Sequence, residues 1–128
     1  MSLSTNLLDA LSPKNKIFVA FSGGLDSTAL LFLCNKALKQ KKIRNLKAIH
    51  INHNLSKNSD NWQQHCESFC RGNKIEFESF MVEVSKNRSS IESQARQARY
   101  KIFESLLDKN DQILLAHHRD DIFETILL

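Results

Sequence analysis

Proline occurs once and glycine three times in 128 residues, too few for a flexible linker or a domain boundary inside the chain. Cysteine also occurs three times, as Cys34, Cys66 and Cys70. So sparse and odd a count is no disulfide framework. Cys66 and Cys70 lie one helical turn apart, but no second pair is spaced to complete a zinc site, and buried thiols in a reducing compartment are expected. No apolar run approaches the roughly 20 residues that span a bilayer. Met1 to Asp9 has neither the basic start nor the apolar stretch of a signal peptide. These features predict a cytoplasmic protein without membrane contact. What is present is ordinary for a globular domain: 41% hydrophobic and 25% charged residues, with 18 basic against 14 acidic side chains for a net charge of +4. A mild basic excess suits a polyanion such as RNA and suits many proteins that bind none.

Apolar runs alternate in type along the chain. Ile17 to Phe21, Leu46 to Ile51, Ile75 to Val82 and Gln112 to Ala116 read as strands. Ser27 to about Lys42 reads as a helix with Leu30, Leu31, Leu33, Cys34 and Leu38 inward. Asp60 to about Arg71 reads as a second, with Trp62, Cys66, Phe69 and Cys70 inward and Gly72 as its stop. A third starts from a Ser89 or Ser90 cap and runs to about Leu107, with Ile91, Ala95, Ala98 and Ile102 as its apolar stripe. From His118 onward the pattern is helical again. Strand and helix in alternation predict an α/β fold: an open parallel sheet with helices on both faces. The helical pattern is still running at Leu128, so residues 1–128 are expected to be one domain from the N-terminal part of a longer protein.

The sharpest local feature is Ser22-Gly23-Gly24-Leu25-Asp26-Ser27, between the first strand and the first helix. Two glycines let a ligand approach the backbone closely. The helix N-terminus offers free N–H groups and a positive dipole end, and Ser22 and Ser27 add hydroxyls. This is an anion cradle suited to phosphate. It lacks the Gly-Lys-Ser/Thr ending of a Walker loop and the third glycine of a dinucleotide fingerprint. Asp26 would repel phosphate unless a cation lies between, and magnesium prefers carboxylate plus phosphate oxygens. A plain strand-to-helix turn capped by Asp26 or Ser27 is the structural alternative.

Two further segments are candidates for chemistry, with a solvated helix face, or for Asp120 and Asp121 a favourable helix dipole, as the alternative. On a helix, His117, Asp121 and Glu124 share one face at i, i+4 and i+7. Glu92, Arg96, Arg99 and Phe103 form a stripe beside the apolar one of the third helix; Glu92–Arg96 suits a helical ion pair, and the arginines are forked donors for phosphate or carboxylate. The loop, His50 to Asn54 and His117 to Glu124 all follow strands. They therefore map to the carboxyl edge of the sheet, where open α/β folds bind ligands.

Ser-Gly-Gly-x-Asp-Ser after a first strand resembles the signature of the PP-loop ATP pyrophosphatases. The resemblance implies a Rossmann-like fold of the adenine nucleotide alpha hydrolase type. It also implies a loop that holds the pyrophosphate part of ATP while a carbonyl oxygen is adenylated. His50-Ile51-Asn52-His53-Asn54-Leu55, Glu92-x-x-Ala95-Arg96-x-x-Arg99-Tyr100 and Ala116-His117-His118-x-Asp120-Asp121-x-x-Glu124-Thr125 narrow this: they are similar to the motifs of tRNA(Ile)-lysidine synthetases, in the same order. That family activates C2 of the wobble cytidine in a CAU anticodon and lets the amine of free lysine displace AMP. By motif match, Ser22, Gly23, Gly24, Leu25, Asp26 and Ser27 hold the ATP phosphates, with Asp26 on Mg2+. His117 and Arg96 or Arg99 contact the nucleotide, and Asp121 and Glu124 receive the lysine ammonium. Family members continue into domains that grip the tRNA, and none is present here. A PP-loop tRNA thiolase or a non-catalytic ATP-binding fragment remains the alternative; thiolases typically carry CxxC pairs, unlike Cys66-x-x-x-Cys70.

Overall fold

The computed structural model describes residues 11, 16–54, 57–83, 91–108, 111–116 and 123–127, with backbone alone for 91 and 123–127. The elements run β1 (Lys16–Ala20), α1 (Leu25–Lys39), β2 (Asn45–Asn52), α2 (Ser59–Gly72), β3 (Glu76–Met81), α3 (Ile91–Leu106), β4 (Gln112–Ala116) and β5 (Phe123–Leu127). One sheet has the order β3-β2-β1-β4-β5. The first four strands are mutually parallel, and β5 runs antiparallel on the outer edge of β4.

The alternation of side chains along β1 divides the core. Ile17 and Val19 point to the face where Leu30, Leu31 and Cys34 of α1 and Cys66 and Cys70 of α2 pack. Phe18 points to the opposite face, onto Phe103 of α3 and Leu107 beyond it, together with Ile49 and Ile113. Helices therefore cover both faces, as the alternating pattern predicts. The two crossovers from β1 to β3 build the sheet outward on one side. The next returns past them to β4, on the other side of β1. Right-handed crossovers in opposite directions place their helices on opposite faces, which is why α3 is alone on its own. The reversal opens a crevice at the carboxyl ends of β1 and β4.

The C-terminal expectation is corrected. Residues 123–127 form a strand, with Glu124 in register opposite Leu115, and not a continuation of a helix. Phe, Thr and Ile favour extended backbone, and the free edge of β4 offers a full ladder of partners that a short helix would have to forgo. The shared helical face of His117, Asp121 and Glu124 is therefore not formed at Glu124, while residues 117–122 lie outside the described residues.

Gly72 ends α2, as expected, and the left-handed residue that follows the helix is Lys74, with φ 58°. Lys41 plays the same part after α1, with φ 61°. Around each lysine, paired N–H groups close the helix end: Lys74 to Arg71 O at 3.2 Å and Ile75 to Cys70 O at 2.8 Å, and Lys41 to Leu38 O at 3.0 Å and Lys42 to Ala37 O at 2.9 Å. The side chain is the unfavourable element there, since its Cβ crowds the carbonyl. Lys41→Gly and Lys74→Gly are each expected to stabilise the chain by about 0.5–1 kcal/mol, strain relief being partly offset by the freer unfolded glycine. A rise in the urea midpoint of each variant, additive in the double variant, checks this.

Candidate functional site

The phosphate loop forms because β1 ends where α1 must begin. Gly23 takes φ 87°, closed to other residues at low cost. Gly24 is the N-cap of α1 and offers no side chain to its amides. The helix therefore starts at Leu25, two residues before the expected Ser27, and neither Asp26 nor Ser27 is the cap. No side chain caps the first turn of α1, in which Asp26 stands. Ser27, 5% exposed, braces the loop from below. Its hydroxyl lies 2.9 Å from that of Ser22, accepts from Ser22 N at 3.2 Å and donates to Gly24 O at 3.3 Å. Thr28 donates its hydroxyl to the same carbonyl at 2.7 Å.

Helix α2 closes the loop from the side. The indole N–H of Trp62 donates to Ser22 O. A Cβ on Gly23 would lie 2.7 Å from Cys66 Sγ and 3.0 Å from the Trp62 ring, so the loop backbone rests directly on this helix. Trp62 was expected to point inward; it is 46% exposed, stacked on His65 at 4.9 Å. Helical spacing marks the side of α2 that faces the protein, but not that a ring there would lie at a rim and hold a carbonyl.

At the end of β2, His50 is buried and its Nδ1 lies 2.9 Å from Phe21 O. Asn52 is also buried and ties β2 to the first turn of α2: its amide donates to Asp60 at 3.0 Å and Gln63 at 2.9 Å, and its oxygen accepts from Asn54 N at 2.8 Å. His53 has a buried Nδ1 without a hydrogen-bond partner among the described residues. Burial, then the Arg99 guanidinium and His50, hold its imidazole below the usual histidine range.

These parts surround one cleft of about 770 Å³, at the crevice the strand order predicts, a size typical of small-molecule sites. Ser22, Gly24, Leu25, Asp26 and Ser27 form one end of it, His50 to His53 one wall, and Leu115 and Ala116 another. Of the paired arginines, Arg99 lines the cleft and Arg96 lies over the Tyr100 ring, 5.3 Å from its centroid. His117 and Asp121 lie outside the described residues, as does the side chain of Glu124.

A model of the PP-loop domain matches residues 2–128. The chain belongs to the PP-loop domain family. Among curated relatives, the tRNA(Ile)-lysidine synthase of Legionella pneumophila (strain Lens) is 44% identical over 98% of this chain and 28% of the relative. That of Histophilus somni (strain 2336) is 42% identical over 96% of the chain and 29% of the relative. The Pseudomonas syringae pv. tomato protein of the same name is 42% identical over 98% and 28%. The PP-loop chain thus spans less than a third of the length of these relatives. Among solved structures, the U34-tRNA thiolase NcsA from Methanococcus maripaludis, with its 4Fe–4S cluster, is similar at a TM-score of 0.60 and 25% identity, over 84% of this chain and 39% of that one.

The cysteines here do not fit a cluster. Cys34, Cys66 and Cys70 are all buried in the core between α1, α2 and the sheet. Burial pushes their thiols up, to about 12, 11 and 12 respectively, away from the thiolate that iron requires.

Proposed function

We propose that this PP-loop domain binds ATP at the loop of Ser22 to Ser27 and serves the ATP-dependent attachment of free lysine to C2 of the wobble cytidine of a CAU-anticodon tRNA(Ile). The observation that carries the ATP reading is the loop itself. A helix start without a side-chain cap, a glycine at φ 87° and two serine hydroxyls converge on the crevice where parallel sheets bind nucleotides. The names of the similar relatives carry the choice of tRNA and lysine.

The residues present suit Mg2+ as well as ATP. Asp26 stands in the first turn beside the loop hydroxyls, a carboxylate that phosphate oxygens would complete as a magnesium site. Magnesium there would neutralise charge on the phosphates as pyrophosphate leaves. The amides of the loop and the first turn of α1 would hold the phosphates, together with the Ser22 hydroxyl that accepts from Gly24 N at 3.3 Å, and Arg99 would face them or the activated base from the opposite wall. His117 would contact the nucleotide. Asp121 and Glu124 would receive the lysine ammonium, Glu124 from β5. In the overall reaction the cytidine C2 oxygen takes AMP from ATP and releases pyrophosphate. The lysine amine then forms the C2–N bond, AMP departs with the oxygen, and the amine loses a proton. The incoming nucleophile is exogenous, so no enzyme thiol attacks, in keeping with the buried cysteines.

The test is incubation of the chain with ATP, magnesium, labelled lysine and a CAU-anticodon tRNA(Ile) transcript. Label in the RNA, lost in Asp26→Ala, is expected. ATP consumption that depends on the tRNA but leaves no lysine in it would contradict the lysine reading.

A further inference from the structure

We propose that Trp62 is a positioning residue for the phosphate loop: by holding the Ser22 carbonyl against α2, it keeps the Gly23 amide turned outward as a donor for the pyrophosphate part of the ligand. The inference rests on the ATP reading and adds to it a residue outside the loop.

In a planar trans peptide the carbonyl and the following N–H point to opposite sides. Ser22 C=O and Gly23 N–H belong to one such unit. The indole N–H of Trp62 donates to Ser22 O, so that carbonyl faces α2 and the Gly23 N–H points away from it. Glycine accepts either sense of this peptide, so nothing intrinsic to Gly23 selects the orientation that binds anions. A flip would bring an oxygen lone pair to the place of a donor and repel phosphate.

The tryptophan is itself fixed in place. Its ring packs against Gly23 and stacks on His65. On either side of it in the helix, Asp60 and Gln63 accept from Asn52 and so fasten α2 to β2. Packing alone does not account for a ring left 46% exposed at the rim of the cleft; the hydrogen bond does.

Trp62→Phe keeps a ring against Gly23 and removes the donor. Trp62 is also the single tryptophan of the chain, so its emission reports on the loop directly. In the native chain, saturating inorganic pyrophosphate is expected to shift that emission. In Trp62→Phe, the affinities for Mg–ATP and for pyrophosphate are expected to fall about five- to tenfold, the effect of one hydrogen bond. Adenosine affinity is expected to stay near native, since it does not depend on the Gly23 amide, and the thermal midpoint to fall by no more than the few degrees that one lost hydrogen bond costs. Native pyrophosphate affinity in Trp62→Phe would overturn the assignment, as would an equal loss of adenosine binding. So would native emission unmoved by bound pyrophosphate, which needs no variant to fold. A folded native chain that binds neither ATP nor pyrophosphate would instead defeat the ATP reading, and the Trp62 assignment with it.

Discussion

Gly23→Ala is expected to destabilise the chain by about 2–4 kcal/mol and to abolish nucleotide binding. Two costs add. At φ 87° a side chain strains the backbone by about 1–2 kcal/mol. The new methyl would also lie 2.7 Å from Cys66 Sγ and 3.0 Å from the Trp62 ring, and overpacking of that kind costs about 1–3 kcal/mol. Neither neighbour yields easily: Cys66 is fully buried in the core and Trp62 is held by its bond to Ser22 O. The loop would therefore move, and with it the amides that face the ligand. Urea unfolding and an ATP titration of the same sample check both halves. Combining the change with Cys66→Ala should recover part of the overpacking and none of the backbone strain, so the two effects should not add. An unchanged urea midpoint for Gly23→Ala would contradict the close packing of loop on helix.

Phe103→Ala is expected to cost about 3–5 kcal/mol, against the 5–15 kcal/mol that typically holds a domain together. Phe103 is 1% exposed and is the largest buried side chain that α3 sends to the sheet, against Phe18, Ile49 and Ile113. It also floors the cleft, one helical turn from Arg99. Loss of the ring thus leaves a cavity and loosens the turn that carries the arginine. Phe103→Leu fills most of that space and should cost under about 1.5 kcal/mol. Denaturation midpoints of the two variants give the comparison, and an alanine variant as stable as the leucine one would show that α3 does not depend on this contact.

Phe103 also shows where the sequence stops being legible. Helical spacing places it on the stripe of Glu92, Arg96 and Arg99, beside the more uniformly apolar positions. A period of 3.6 residues marks neighbouring faces about equally well; which of them meets the sheet depends on the angle at which α3 docks, a property of the partner and not of the helix. Strands were more readable, because parallel strands buried on both faces are nearly continuous apolar runs, and Gln112–Ala116 was bounded correctly at both ends. The turn from β1 into α1 was legible as well, since two glycines between a strand and a helix mark a tight backbone turn. Its cap was not: a glycine N-cap leaves no side-chain signal. The stops at Lys41 and Lys74 escaped for a related reason, because tertiary structure imposes a left-handed residue there that composition argues against. The strand at 123–127 escaped because its apolar spacing also fits a helical period, and pairing with the open edge of β4 decides for the extended form.

The central claim is that the crevice beside β1 is an ATP site built on the loop of Ser22 to Ser27. Calorimetric titration of the purified chain with ATP, with and without magnesium, tests it most directly. The account predicts saturable binding of one ATP, tighter with magnesium, weakened by Asp26→Ala and displaced by inorganic pyrophosphate. A folded chain that takes up no ATP under either condition would contradict it.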